Sequence, residues 1–136
     1  MAIVVDASIV LAALLGEDGA ATASALAELE WIVPALWWLE IRNGLIVNER
    51  RRRTSEQLSA SSLRELSQIA TTVDSEPDGD HLMALARKHC LTVYDAAYLE
   101  LALRQVLPLA TLDTQLIDAA RAEGVPLLGD SLPEPS

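Results

Sequence analysis

Three aspartates stand at the ends of short apolar runs. Asp6 follows Ala2-Ile3-Val4-Val5, Asp95 follows Leu91-Thr92-Val93-Tyr94, and Asp113 comes just after Leu107-Pro108-Leu109-Ala110-Thr111. Glu40 lies early in a helical stretch behind a fourth run, Trp31-Ile32-Val33-Pro34. If these runs are parallel strands, their carboxyl ends share one sheet edge, which is where open α/β folds bind ligands. Carboxylates crowded at one edge cannot all stay ionised without a counter-charge. Oxygen-only ligands suit Mg²⁺ or Mn²⁺. Such an ion, alone or in a pair about 3.5–4 Å apart, orients a phosphate, activates water and stabilises a leaving oxygen.

The elements that would position these groups alternate along the chain. The β-branched opening run reads as a strand buried on both faces, followed by a helix from Ile9 to Leu15 that Ser8 is placed to cap. Residues 20 to 30 are alanine-rich and helical in propensity. Trp31–Pro34 reads as the second strand, and Ala35 to about Arg53 as a long helix. Thr54-Ser55-Glu56-Gln57 reads as a capping box for a helix reaching about Ile69. Ala70–Val73 is a weak strand or connector, His81–His89 a helix, and Leu91–Tyr94 a third strand leading into a helix over Ala96–Arg104. Leu107–Thr111 is a further strand, Thr114–Glu123 a helix closed by Gly124, and Val125–Leu128 a final edge strand. Strands alternating with helices predict an α/β class protein, a three-layer α/β/α sandwich around a central parallel sheet.

Composition narrows the class. At 136 residues and 51% hydrophobic, the chain fits a single domain over 1–136, with a loose tail from about 129. The lone Cys90 supports no disulfide framework and points to a reducing cytoplasm. Neither a signal peptide nor a run long enough to span a bilayer is expected. The net charge of −10 is the wrong sign for bulk attraction to nucleic acid, and suits a cation-binding site or a basic partner. There is no P-loop and no G-x-G-x-x-G, and His81 and His89 sit away from the strand ends.

In this order and at these intervals, four motifs resemble the PIN-domain family, specifically VapC-type toxins of toxin–antitoxin modules. They are Ile3-Val4-Val5-Asp6-Ala7-Ser8, Trp37-Trp38-Leu39-Glu40-Ile41-Arg42-Asn43, Tyr94-Asp95-Ala96-Ala97-Tyr98-Leu99-Glu100, and Thr111-Leu112-Asp113. The resemblance implies a PIN-like fold and a Mg²⁺- or Mn²⁺-dependent endoribonuclease in which water attacks an RNA phosphodiester in line and leaves a 5′-phosphate. It implies metal and catalytic roles for Asp6, Glu40, Asp95 and Asp113, and supporting hydroxyls at Ser8 and Thr111. The partners it implies are an RNA substrate, a second copy in a homodimer, and a cognate VapB-like antitoxin that brings a basic side chain near the carboxylates.

Blander readings stand beside these. A strand-end aspartate often serves only to cap the next helix, and Asp113 is the position where capping and metal binding best coexist. Arg50-Arg51-Arg52-Arg53 complements a helix C-terminus, yet it is the one basic cluster and so the candidate for RNA phosphates. Trp37 and Trp38 read as core or dimer packing. Glu100 and Asp118 read as solvated helix residues. A receiver-like signalling module would also cluster acids at strand ends, but it needs a lysine at a late strand end, and the one lysine, Lys88, falls within a helix. A PIN nuclease of RNA processing rather than a toxin remains the other alternative.

Overall fold

The structure, a computed structural model, describes residues 1–16 and 25–128. Residues 20–24 of the alanine-rich stretch, and the tail from 129, lie outside the described residues; over 25–30 that stretch is helical only at 25–26. In chain order the elements are β1 (Ala2–Val5), α1 (Ala7–Leu14), β2 (Glu30–Pro34), α2 (Trp37–Arg50), α3 (Glu56–Leu66), β3 (Thr71–Asp74), α4 (Gly79–His89), α5 (Val93–Gln105), β4 (Leu109–Ala110) and α6 (Thr114–Ala122). The strands form a parallel sheet in the order β3-β2-β1-β4, the central layer of the expected sandwich. Ile3, Val4 and Val5 are fully buried, as a central strand with both faces covered requires.

Four readings of the secondary structure are corrected. The run Leu91–Tyr94 is not a strand. Thr92 caps α5, its hydroxyl oxygen accepting the Asp95 N–H at 3.1 Å, and Val93 and Tyr94 are 45% and 64% exposed, which a central strand would not allow. Thr92-Val93-Tyr94-Asp95 carries the S/T-x-x-D/E helix-start pattern, and that capping overrides the β propensity of the intervening residues. Ser8 does not cap α1, because the helix begins two residues earlier, at Ala7, and Asp6 takes the N-cap position. Ser55 rather than Thr54 caps α3, accepting the Leu58 N–H, and the helix ends at Leu66. The final edge strand reduces to a single parallel bridge between Leu109 and Leu127.

Helix α5 crosses the sheet against β1, β2 and β4, with α4 and α6 packed on it. Its seat is partly polar. Glu100, read from the sequence as solvated, is fully buried; it accepts hydrogen bonds from Arg104 Nε at 2.6 Å and from the Asp78 N–H at 3.0 Å. Arg104 forks onto Asp74 at 2.9 and 3.0 Å, which ties the end of β3 to α5. A buried carboxylate is tolerated only when paired in this way. The Arg104 guanidinium holds the Asp74 carboxyl down to about 2.

Helix α2 is anchored by Trp37, Ile41 and Leu45, buried at a spacing of one turn. Trp37 meets Trp31 and Trp38 edge-on, so it serves the core as expected. Helix α1 packs against α2, and the close approach depends on Gly44: a Cβ there would lie 2.3 Å from Leu11 Cδ1 and 2.8 Å from Leu11 Cδ2. Gly44→Ala must displace the Leu11 side chain, an overpacking cost of roughly 1–3 kcal/mol, against a gain of about 1 kcal/mol in helix propensity, so we predict a net loss of at most about 2 kcal/mol. Leu11→Ala in the same chain should recover part of that loss, and urea unfolding of the two single variants and the double variant checks it. Additive losses would show that the helices part without strain.

Candidate active site

Four carboxylates reach one open cleft of about 290 Å³. Its lining includes Asp6, Ser8, Glu40, Asn43, Asp95 and Asp113, with Ala7, Leu11 and Gly44 between them. Each arrives by a local rule. Asp6 is the residue after β1 and is 5% exposed. Asp113 is the N-cap of α6, its Oδ1 accepting the Leu116 N–H at 3.0 Å, so it is a helix cap within the cleft. Glu40 and Asp95 lie in the first turns of α2 and α5, where the helix dipole favours negative charge.

Hydroxyl groups hold these acids in place. Asp6 Oδ2 accepts hydrogen bonds from Thr111 Oγ1 at 2.6 Å and Ser8 Oγ at 2.7 Å. The same two oxygens accept backbone N–H groups from the loop behind β4: Leu112 donates to Ser8 and Asp113 to Thr111. Thr111 is buried beneath Asp6 rather than lining the cleft. Glu40 Oε1 accepts the Tyr98 hydroxyl at 2.5 Å, and the Ala7 N–H bonds to that same hydroxyl. Tyr98 therefore ties α5, α2 and the start of α1 together below the cleft. The sequence reading did not single it out, although it lies three residues after Asp95. Once α5 is taken to begin at Val93, that spacing puts the two on one helix face.

The electrostatics are those of a site short of positive charge. Burial raises the Asp6 carboxyl above its ordinary range against the opposing Thr111 and Ser8 hydroxyls, and the charges of Asp95 and Asp113 raise it further. Burial likewise raises Glu40, with Asp6 and Asp95 adding to it while Tyr98 opposes. Asp95 is raised by burial and by Asp113. Every charged group lining the cleft is an oxygen acid, the donor set that Mg²⁺ or Mn²⁺ prefers. One oxygen of Asp6, of Glu40 and of Asp113 is engaged in the bonds above, and each carboxylate retains a second. No group of three or more His, Cys, Asp and Glu side chains among the described residues is already arranged to hold an ion. The acids thus fit a cation by their oxygen chemistry and their shared cleft, not by a spacing already closed for ligation.

Other sequence candidates lie elsewhere. Arg50–Arg53 are exposed and outside the cleft lining. With α-helical rise, Arg50 is roughly 15 Å along α2 from Glu40. Arg52, two residues past the end of α2, lies in the left-handed region, with φ 59°. His89 pairs with Glu123, and Asp118 is exposed. Among the described residues no helix is long and apolar enough to cross a membrane.

A carboxyl raised in the native state binds its proton more tightly folded than unfolded. Its penalty is therefore absent below the unfolded value and grows as pH rises through the native one. We predict that the melting temperature of the metal-free protein rises from pH 7 toward pH 5. Asp6→Asn should flatten that profile, and saturating Mn²⁺ at pH 7 should stabilise by about 2.7 kcal/mol at a hundred times its Kd. Thermal unfolding across pH, with chelator and with Mn²⁺, tests this; a metal-free profile that instead falls on acidification to pH 5 contradicts it.

Comparison with known proteins matches this architecture. The PIN domain family model matches residues 3–122. The chain is 34% identical over 125 residues to Ribonuclease VapC3 of Pyrobaculum aerophilum, covering 87% of this chain and 94% of that protein. Among solved structures it is similar to PAE2754 of Pyrobaculum aerophilum, with a TM-score of 0.70 at 23% identity, covering 94% of this chain and 90% of that one. It is also similar to FitAcB of Neisseria gonorrhoeae, with a TM-score of 0.56 at 18% identity, covering 93% and 96%. At these identities the structural likenesses speak for the fold.

Proposed function

Because this chain belongs to the PIN-domain family, we propose that it is a metal-dependent endoribonuclease, the toxin of a VapBC-type toxin–antitoxin module. The observation that carries the reading is the convergence of Asp6, Glu40, Asp95 and Asp113 on one cleft, with Asp6 and Glu40 each fixed by a buried hydroxyl. The name of the relative, a ribonuclease, supports RNA as the substrate.

In this reading the four carboxylates hold Mg²⁺ or Mn²⁺. A bound ion of this kind neutralises the phosphodiester, lowers the pKa of attacking water and stabilises the leaving oxygen. The chain's own part is positional. Thr111 and Ser8 orient one oxygen of Asp6, leaving the other for ligation. Tyr98 orients Glu40 in the same way, and the α6 N-terminus holds Asp113. Arg50–Arg53 contact RNA phosphates beyond the cleft. The remaining acidity, part of a net charge of −10, suits a basic antitoxin whose cation would compete for the carboxylates. Residence in the cytoplasm and assembly as a homodimer complete the proposal.

The test is incubation of the purified protein with a panel of structured RNAs in Mg²⁺, Mn²⁺ or chelator, beside Asp6→Asn and Asp95→Asn. Defined cleavage that needs metal is expected. Each variant should lose at least the roughly 100-fold seen at the upper end for outer-shell ligand partners. Cleavage that persists in chelator, or in both variants, would overturn the assignment of the site. For the arginine run, replacing all four with alanine should weaken RNA binding and make its salt slope shallower by up to about 0.7 per lost contact on a single strand. An unchanged slope removes those residues from the RNA path.

A further inference from the structure

The cleft has an unequal inventory of donors and acceptors. Its polar lining consists of four carboxylates, Ser8 and Asn43. The ionised carboxylates only accept. The Ser8 hydroxyl proton is committed to Asp6 at 2.7 Å. Asn43 is exposed, and its side-chain amide makes no hydrogen bond among the described residues. It is therefore the one lining side chain with uncommitted N–H donors. It lies three residues after Glu40 on α2, so the two share a helix face. Gly44, the next residue, brings that face close to α1 and so to the Asp6 side of the cleft.

A phosphodiester entering this cleft presents acceptors: two non-bridging oxygens sharing a negative charge, and ribose oxygens beside them. Carboxylates repel those atoms. A lysine or arginine in the lining would attract them but would also pair with the acids and compete with a cation. A neutral amide donates without doing either. From this complementarity we infer that Asn43 is a substrate-contacting residue, its amide N–H donating to a non-bridging oxygen of the bound phosphodiester. The inference rests on the nuclease reading above and adds to it a residue that binds the substrate rather than the metal. As a purely structural residue Asn43 would be idle: it is exposed, with no partner among the described residues, so its replacement should leave stability unchanged.

The experiment uses the full chain, the RNA that the wild-type protein cleaves, and the variants Asn43→Ala and Asn43→Asp. Removing one hydrogen bond to a charged group should lower kcat/KM roughly 10–100-fold in Asn43→Ala. Asn43→Asp, equal in size but with a repelling charge, should lose more. Mn²⁺ affinity of Asn43→Ala, measured by calorimetry without RNA, should stay within about twofold of wild type, and its melting temperature should not move. A kcat/KM within twofold of wild type would overturn the inference. So would a parallel loss of Mn²⁺ affinity in Asn43→Ala, which would make Asn43 part of the metal site. If the wild-type protein cleaves no RNA, the nuclease reading falls first and this contact falls with it; a wild type that cleaves beside an indifferent Asn43→Ala removes only the contact.

Discussion

Mutual repulsion among carboxylates at one sheet edge is the constraint that the surrounding structure accommodates. Two unit charges 4 Å apart repel by about 4 kcal/mol at an effective dielectric near 20. A site that gathers four such groups must hold them by other means. Here the means are short hydrogen bonds to buried and half-buried hydroxyls and the N-terminal ends of helices. Thr111 and Ser8 serve Asp6, Tyr98 serves Glu40, and the first turns of α2, α5 and α6 serve Glu40, Asp95 and Asp113.

These supports are layered. Thr111 and Ser8 do more than orient Asp6, because their oxygens also accept the N–H groups of Asp113 and Leu112. The loop carrying the fourth acid is thus hung from the pair that holds the first. Tyr98 does the same between helices. Farther out, the buried Glu100 and its partner Arg104 lock α5 to the end of β3, and α5 carries both Asp95 and Tyr98. The geometry of the acids is set by a chain of polar contacts running from the cleft into the core, and each link is satisfied, as burial demands. Against this fixed acceptor lining, the free amide of Asn43 is the exception that faces outward to a substrate.

Much of this was legible before the structure. Asp6 and Asp113 follow β1 and β4 as their apolar runs indicate, and Glu40 falls in the first turn of α2, because strand ends and helix starts are local features. Asp95 was identified by a route the structure corrects: it follows no strand, and its place depends on Thr92 beginning a helix where the apolar residues suggest β. Tyr98 was missed through the same error, since its face is defined only once the helix start is right. Glu100 was misread because its burial depends on Asp78, more than twenty residues away in sequence.

The sequence alone determined the class of fold, the four acids and the oxygen-donor chemistry they share. Hydrophobic periodicity and the residue type after each run are written locally, and a parallel sheet puts its strand ends on one edge. Only the tertiary structure decided how those acids are held and what else faces them. Which hydroxyl meets which carboxylate depends on how α5 lies across the sheet, and the approach of α1 to α2 at Gly44 depends on packing between elements far apart in the chain. Contacts across such separations follow from filling a common core, and no short stretch of residues records that arrangement.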